Sequence, residues 1–330
     1  MRISIKKIIA PNIPLTVFLV STCCAIWMLS FEGGHTFTIN FQQNSIQEIL
    51  KSVFLPTSIL SKVVSLVLTL FNAFLIAQLN NRFTIIRTRT FLPFFIFLLL
   101  MGTWNQTHFA IGSHVSLTLF LIALFFFFNM SRDEKASEEA FMGSLLISLS
   151  SLMINQLIFL IPVCWIGFMI FQSFSLRTFL ASLFGTIVPW IFFAGIMYLG
   201  NNNITFASIF DLGFNFAIQL SFFTLAEIIY TAIITIIMII GLVGLFSISG
   251  SDAIHTRNKL NFLVFLQIAL LVLSFIFRNQ LFCFLPYFAL VYSFLISYPL
   301  TLKLNNFYSI IFIIFCTLNI AFAISKYFLI

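Results

Sequence analysis

Long apolar runs, each near the length of a bilayer-crossing helix, alternate along this chain with short polar gaps. A helix needs ~20 apolar residues to cross ~30 Å of hydrocarbon, which makes each run a candidate span. The runs fall at about 13–31, 60–79, 91–104 and 115–128, then within a long block at 141–174. Asn155-Gln156 divides that block into two spans joined by a tight turn. Further runs follow at about 179–199, 227–246, 262–277, 281–300 and 307–324. The pattern therefore predicts an all-α, polytopic transmembrane helical bundle of about 11 spans. The third run is only about fourteen residues long, short for a full crossing, so it is thinned, extended by its flanks or partly buried in protein. Gly185 and Pro189 inside the seventh predict a kink.

The polar gaps add detail. The first run follows Arg2, Lys6 and Lys7 but lacks a small-residue cleavage site, so it reads as a retained span rather than a signal peptide. Between the first two spans, Ile46, Ile49, Leu50 and Phe54 recur at helical spacing. This predicts an amphipathic helix lying on the membrane surface near 45–55. There is no soluble-domain boundary and no convincing internal repeat, so residues 1–330 form one integral membrane domain.

Composition agrees with the pattern. Hydrophobic residues make up 61% of the chain and charged residues 8%, with a mean hydropathy of +1.12. The 47 Phe residues suit a lipid-facing surface that needs bulk without polar atoms. The five Cys sit inside apolar runs without metal-ligand spacing and read as small buried hydrophobes. No metal site and no cofactor is expected.

Charge sets the orientation. With the N-terminus inside, the cytoplasmic gaps hold Arg2, Lys6, Lys7, Arg82, Arg87, Arg89, Arg132, Lys135, Arg177, Arg257, Lys259 and Lys303. The external gaps hold Lys51, Arg278 and Lys326, with Lys62 near the outer end of the second span. That asymmetry follows the positive-inside rule and predicts a cytoplasmic N-terminus and an external C-terminus. It also explains the net charge of +7 without nucleic acid. The expected location is the cell inner (plasma) membrane.

Ionisable groups in or beside a bilayer are costly and default to functional candidates. Glu32 and His35, three residues apart, suit an external acid/base pair, although both also suit a solvated loop beside two glycines. Glu48 and Lys51 stand at i,i+3 on the surface helix, where an ordinary stabilising pair accounts for them without catalysis. Arg278, beside Asn279 and Gln280, suits a bidentate grip on a lipid phosphate or simple anchoring to headgroups. Glu227 has apolar neighbours at the outer end of the eighth span. His108 and His114 flank the break after the third span and read as interfacial histidines bonded to backbone.

Several short motifs share an order with known proteins. They are a span ending in Asn80-Asn-Arg-Phe83, the stretch Arg87-Thr-Arg-Thr-Phe-Leu-Pro93, a short span with a polar break and a charged loop after Phe128. After the block split around Leu152 come Leu176-Arg-Thr178 and Gly185-Thr-Ile-Val-Pro-Trp190. This layout resembles an uncharacterised family of bacterial multi-pass inner-membrane proteins. Its span order is similar to the membrane core of GT-C-type glycosyltransferases, which take sugars from polyprenyl-phosphate carriers. The resemblance covers about residues 1–200, with additional spans over about 226–330. It implies a glycosyltransferase-like activity on lipid-linked envelope glycans, with Glu32 or Glu48 as carboxylate base and Arg278 or Lys51 on the carrier phosphate. The usual acidic signature after the first span and an extracytoplasmic soluble domain are absent. The alternative expectation is a non-enzymatic membrane subunit, or a carrier for a lipid or small solute. The expected partners are membrane lipids, including a polyprenyl-phosphate-linked substrate in the enzyme reading.

Overall fold

A computed structural model describes residues 13–29, 59–104, 107–108, 110–130, 136–199, 224–277, 281–303 and 306–328. Apolar segments form helices in a lipid environment because every backbone N–H and C=O is then satisfied within its own segment. The described residues contain eleven α-helices and no strand. They are α1 (Ile13–Leu29), α2 (Ile59–Phe83), α3 (Leu92–Thr103), α4 (Ile111–Asn129) and α5 (Ala136–Met153). Then come α6 (Leu160–Ile170), α7 (Leu176–Leu199), α8 (Leu225–Ser249), α9 (Ile254–Ile276), α10 (Leu281–Leu302) and α11 (Asn306–Phe328). Each predicted span coincides with one of these helices. Seven helices are long and apolar enough to cross a membrane, as expected of a multi-pass membrane protein.

The centre of the bundle is α3, α4 and α10. The twelve residues of α3 are buried except Phe94, and the helix packs among α1, α2, α10 and α11. Its length is about 18 Å at ~1.5 Å per residue, and protein encloses it on nearly all sides. Pro93 in its first turn costs no helical hydrogen bond. The outer helices present Ile191, Phe192 and Ile196 on α7, Ile236, Ile239 and Val243 on α8, and Ile310 and Ile314 on α11, all exposed. This apolar exterior is the expected counterpart of a hydrocarbon solvent.

Phenylalanine departs from expectation. Phe97, Phe120, Phe127, Phe128, Phe168, Phe262, Phe284, Phe294 and Phe315 are among the largest fully buried side chains. Phe83, Phe125, Phe128, Phe171 and Phe262 contact one another in tilted and edge-on pairs with centroids 5.3 to 6.1 Å apart. Phe therefore fills the interior as much as it coats the exterior, because aromatic edges and faces interlock without any polar atom to satisfy.

Helices α5 and α7 pack closely through small residues. Ser148 Oγ donates to the Thr186 carbonyl at 2.6 Å, and Trp190 Nε1 donates to Ser151 Oγ at 3.1 Å. A Cβ at Gly185 would lie 2.5 Å from the Phe141 carbonyl oxygen, so only glycine allows this approach. Pro189 lies within the continuous helix α7. It has no N–H to offer the carbonyl of Gly185 four residues earlier. The turn at Asn155-Gln156 is present as a 3₁₀ turn (Asn155–Phe159), but both amide residues are buried rather than exposed.

Candidate functional site

Successive helices alternate in direction, so their ends gather into two polar layers. One contains His108 and His114. The other contains Arg87.

The His108 layer begins on α2. Ser61, Lys62, Ser65, Thr69 and Asn72 recur at helical spacing and are all buried. Ser65 Oγ donates to the His108 carbonyl at 2.6 Å, and Asn72 Nδ2 donates to the His114 carbonyl at 3.0 Å. The Thr118 hydroxyl donates to Asn72 Oδ1 at 2.7 Å. The His114 ring spans two partners, with Nε2 2.9 Å from the Thr107 carbonyl and Nδ1 3.3 Å from the Thr69 hydroxyl. A carbonyl can only accept, which places a proton on Nε2. The same reasoning assigns the His108 Nε2 proton, 3.3 Å from the Met101 carbonyl. Trp27 of α1 stacks on His108 with centroids 3.6 Å apart. Both histidines are fully buried within the bundle, and their bonds to backbone carbonyls are as expected.

Two further nodes extend this layer. The hydroxyls of Ser116 (α4), Ser150 (α5) and Tyr287 (α10) meet with separations of 2.7, 2.7 and 3.2 Å, all buried. Tyr230 (α8) donates to Asn319 Oδ1 (α11) at 2.8 Å and lies 3.3 Å from the Thr103 hydroxyl. Phe322 stacks on its ring at 4.0 Å. These nodes join six helices by hydrogen bonds whose partners are already inside the bundle.

The opposite layer is charged. Asp252, in the turn between α8 and α9, forms an ion pair with Arg87 and accepts from the Tyr298 hydroxyl of α10. Its side chain is fully buried, whereas that of Arg87 is 41% exposed. Arg87 also donates to Ser251 Oγ at 3.0 Å. The turn that carries Arg87 is shaped by Thr84, whose φ is +47°, and by Asn80, whose Oδ1 accepts from the Ile86 N–H at 3.1 Å. Lys259 donates to the Phe83 carbonyl at 3.3 Å and sits 5.1 Å from that ring's centroid.

Glu32, His35, Glu48, Lys51, Arg278, Asp211 and the helix predicted near 45–55 lie outside the described residues. The described residues flanking most of them are informative. Leu29 follows Trp27, Ile59 precedes Ser65, Phe277 packs on Phe159, and Leu281 adjoins Phe282 against Trp104. All four therefore lie at the His108 end. Glu227 has a structural role: it forms a reciprocal capping box with Thr224 at the start of α8. Asp252, Tyr298, Tyr287 and Tyr230 escaped the sequence reading, since nothing local links Arg87 to a carboxylate 165 positions away.

Among the described residues no group of His, Cys, Asp and Glu is arranged to hold a metal ion. The five cysteines are free, with Cys23, Cys164 and Cys283 buried as expected. Comparison with protein-family models, with curated proteins and with solved structures finds no match to this chain.

Proposed function

We propose that the protein is an inner-membrane bundle of eleven spans whose Arg87 end faces the cytoplasm. Its outward end acts on or beside a lipid-linked envelope glycan, in the manner of the GT-C-like scaffold its span order resembles. One observation carries this reading. The chain flanking Glu32, His35, Glu48 and Lys51, and that flanking Arg278, meets the bundle at the His108 end, where the polar layer gives a rigid base. Arg82, Arg87, Arg89, Arg177, Arg257, Lys259 and Lys303 all lie at or next to the other end, which supports the orientation. In this reading Glu32 or Glu48 supplies the base and Arg278 or Lys51 holds the carrier phosphate. The test is photocrosslinking of a polyprenyl phosphate carrying a photoreactive group in native membranes, joined to the deletion phenotype. Crosslinks should concentrate in the 30–58 and 278–280 segments, and Glu32→Gln or Glu48→Gln should reproduce the phenotype. Crosslinks spread evenly over the chain, with both variants behaving as the parent, would defeat the enzyme reading.

A second reading, a non-enzymatic membrane subunit, is favoured by the interior. The hydroxyl nodes are hydrogen-bonded to one another inside the bundle. A carrier would instead need polar groups open to its solute.

A further inference from the structure

At the Arg87 end an open cavity of about 780 Å³ lies against the first turns of α5, α7 and α9 and the turn joining α6 to α7. Two other cavities, of about 430 and 400 Å³, are lined by residues such as Val17, Phe74 and Phe94, or Ile161, Leu183 and Ile187. Those are lined almost wholly by apolar side chains. The larger cavity differs in kind, because Ser137, Gln172, Arg177, His255 and Asn258 face it, and no described residue lining it is a carboxylate.

The side chains of Arg177, His255 and Asn258 make no hydrogen bond or ion pair with the described residues. Three other cations at this end are committed: Arg87 is paired with Asp252, Lys259 is bonded to the Phe83 carbonyl, and Lys303 to Ser247; Arg82, Arg89 and Arg257 do not line the cavity. Arg177 is thus a cation held at the edge of a roomy polar cavity, its guanidinium fork uncommitted among the described residues. A guanidinium matches the oxygens of a phosphate two at a time, and neighbouring amide and hydroxyl groups complete such a shell. The first turn of α9 contributes in the same sense. Its cap, Ala253, offers no side-chain acceptor to the first N–H groups of the helix. The volume falls within the ~300–1,000 Å³ typical of small-molecule sites.

We infer that this cavity binds a phosphate-bearing anion, with Arg177 as the charged contact and Asn258 as a neutral donor. The phosphate belongs either to a lipid headgroup or to a soluble organic phosphate, and both would reach it at the membrane face. The inference is independent of the outward-end reading, since it concerns the other end and uses no polyprenyl probe.

The experiment uses the full chain in phosphatidylcholine nanodiscs. One arm titrates a fluorescent phosphatidic acid, and a second titrates inorganic phosphate and glycerol 3-phosphate in the aqueous phase. Arg177→Gln should weaken binding about tenfold, the size expected for a charge-assisted hydrogen bond. Asn258→Ala should weaken it a few-fold, and Arg82→Gln, at the same end but off the cavity, should leave it intact. Binding in the lipid arm alone identifies a headgroup site, and competition by the soluble phosphates identifies a soluble ligand. Equal losses in Arg177→Gln and Arg82→Gln would reveal only diffuse attraction and overturn the site, as would no binding in either arm. Arg177 is exposed, so its substitution should leave thermal unfolding unchanged, and Asn258→Ala tests the same cavity without altering charge.

Discussion

Removing Arg87 should harm the protein more than removing the charge of Asp252, because the two partners are unequally buried. The Asp252 side chain is fully buried and that of Arg87 is 41% exposed. In Arg87→Ala, a carboxylate stays in the interior with only the Tyr298 hydroxyl and whatever water reaches it. Breaking a wholly buried ion pair from one side costs ~3–5 kcal/mol. Solvent screening at the exposed guanidinium reduces this to about 2–3 kcal/mol. In Asp252→Asn the charge is gone, and the amide oxygen still accepts from Tyr298 or Arg87. The expected cost is about 1–1.5 kcal/mol, that of a weakened hydrogen bond. Tyr298→Phe removes the phenol alone and should cost about 1 kcal/mol. The assay is unfolding of the purified chain by SDS titration from mixed micelles, followed by tryptophan fluorescence. A double-mutant cycle over Arg87→Ala and Asp252→Ala should give a coupling of at least about 1 kcal/mol, because each change alone removes the same interaction. A coupling near zero, or an Asp252→Asn variant less stable than Arg87→Ala, would refute the account of unequal burial.

Three further outcomes follow from the packing. Gly185→Ala forces a methyl group to within 2.5 Å of the Phe141 carbonyl; it should lower stability by ~1–3 kcal/mol, visible in the same titration, whereas Gly195→Ala should be near neutral. Tyr287→Phe should cost about 1 kcal/mol, and adding Ser116→Ala and Ser150→Ala to it should cost less than the sum of single losses, because one shared node has already been broken. His114→Leu removes the ring donor from the buried Thr107 carbonyl, which keeps the Ala110 N–H, and should cost about 1–1.5 kcal/mol, with His114→Gln recovering part of it if an amide reaches the same carbonyl; equal losses in both would argue against that hydrogen bond.

The helices were legible in the sequence because apolar length is a local property, set by residues adjacent in the chain. Thus the break at Asn155-Gln156 and the short third run were visible at once. Their surroundings were not. Whether fourteen apolar residues thin a bilayer or hide inside protein depends on α10, which lies far along the chain. The same holds for the polar residues. Ser116, Ser150 and Tyr287 are unremarkable in their own segments and meet only when three helices pack. Glu227 looked chemically interesting because it stood among apolar neighbours, yet Thr224 three positions earlier carried the capping signal. His108 and His114 bond to backbone carbonyls as expected, but their complete burial depends on Trp27 and α2, which nothing adjacent to them in the chain reveals. The phenylalanines show the opposite limit: a bilayer and a protein interior select the same side chain, so composition alone cannot apportion them.

The enclosure of α3 bears on how the protein is made. Its twelve residues reach about 18 Å, too little to fill a ~30 Å hydrocarbon layer by themselves. Much of its wall is α10, which begins at Leu281. At ~5–20 residues per second, that wall is synthesised about ten to forty seconds after Thr103. During this interval the nascent chain carries a helix with no finished home. It must be shielded by α1 and α2, by lipid, or by an insertion factor. Truncation just before Leu281 should therefore leave a product that inserts but is cleared by membrane proteases, making the last two helices the step that commits the earlier ones to a lasting fold.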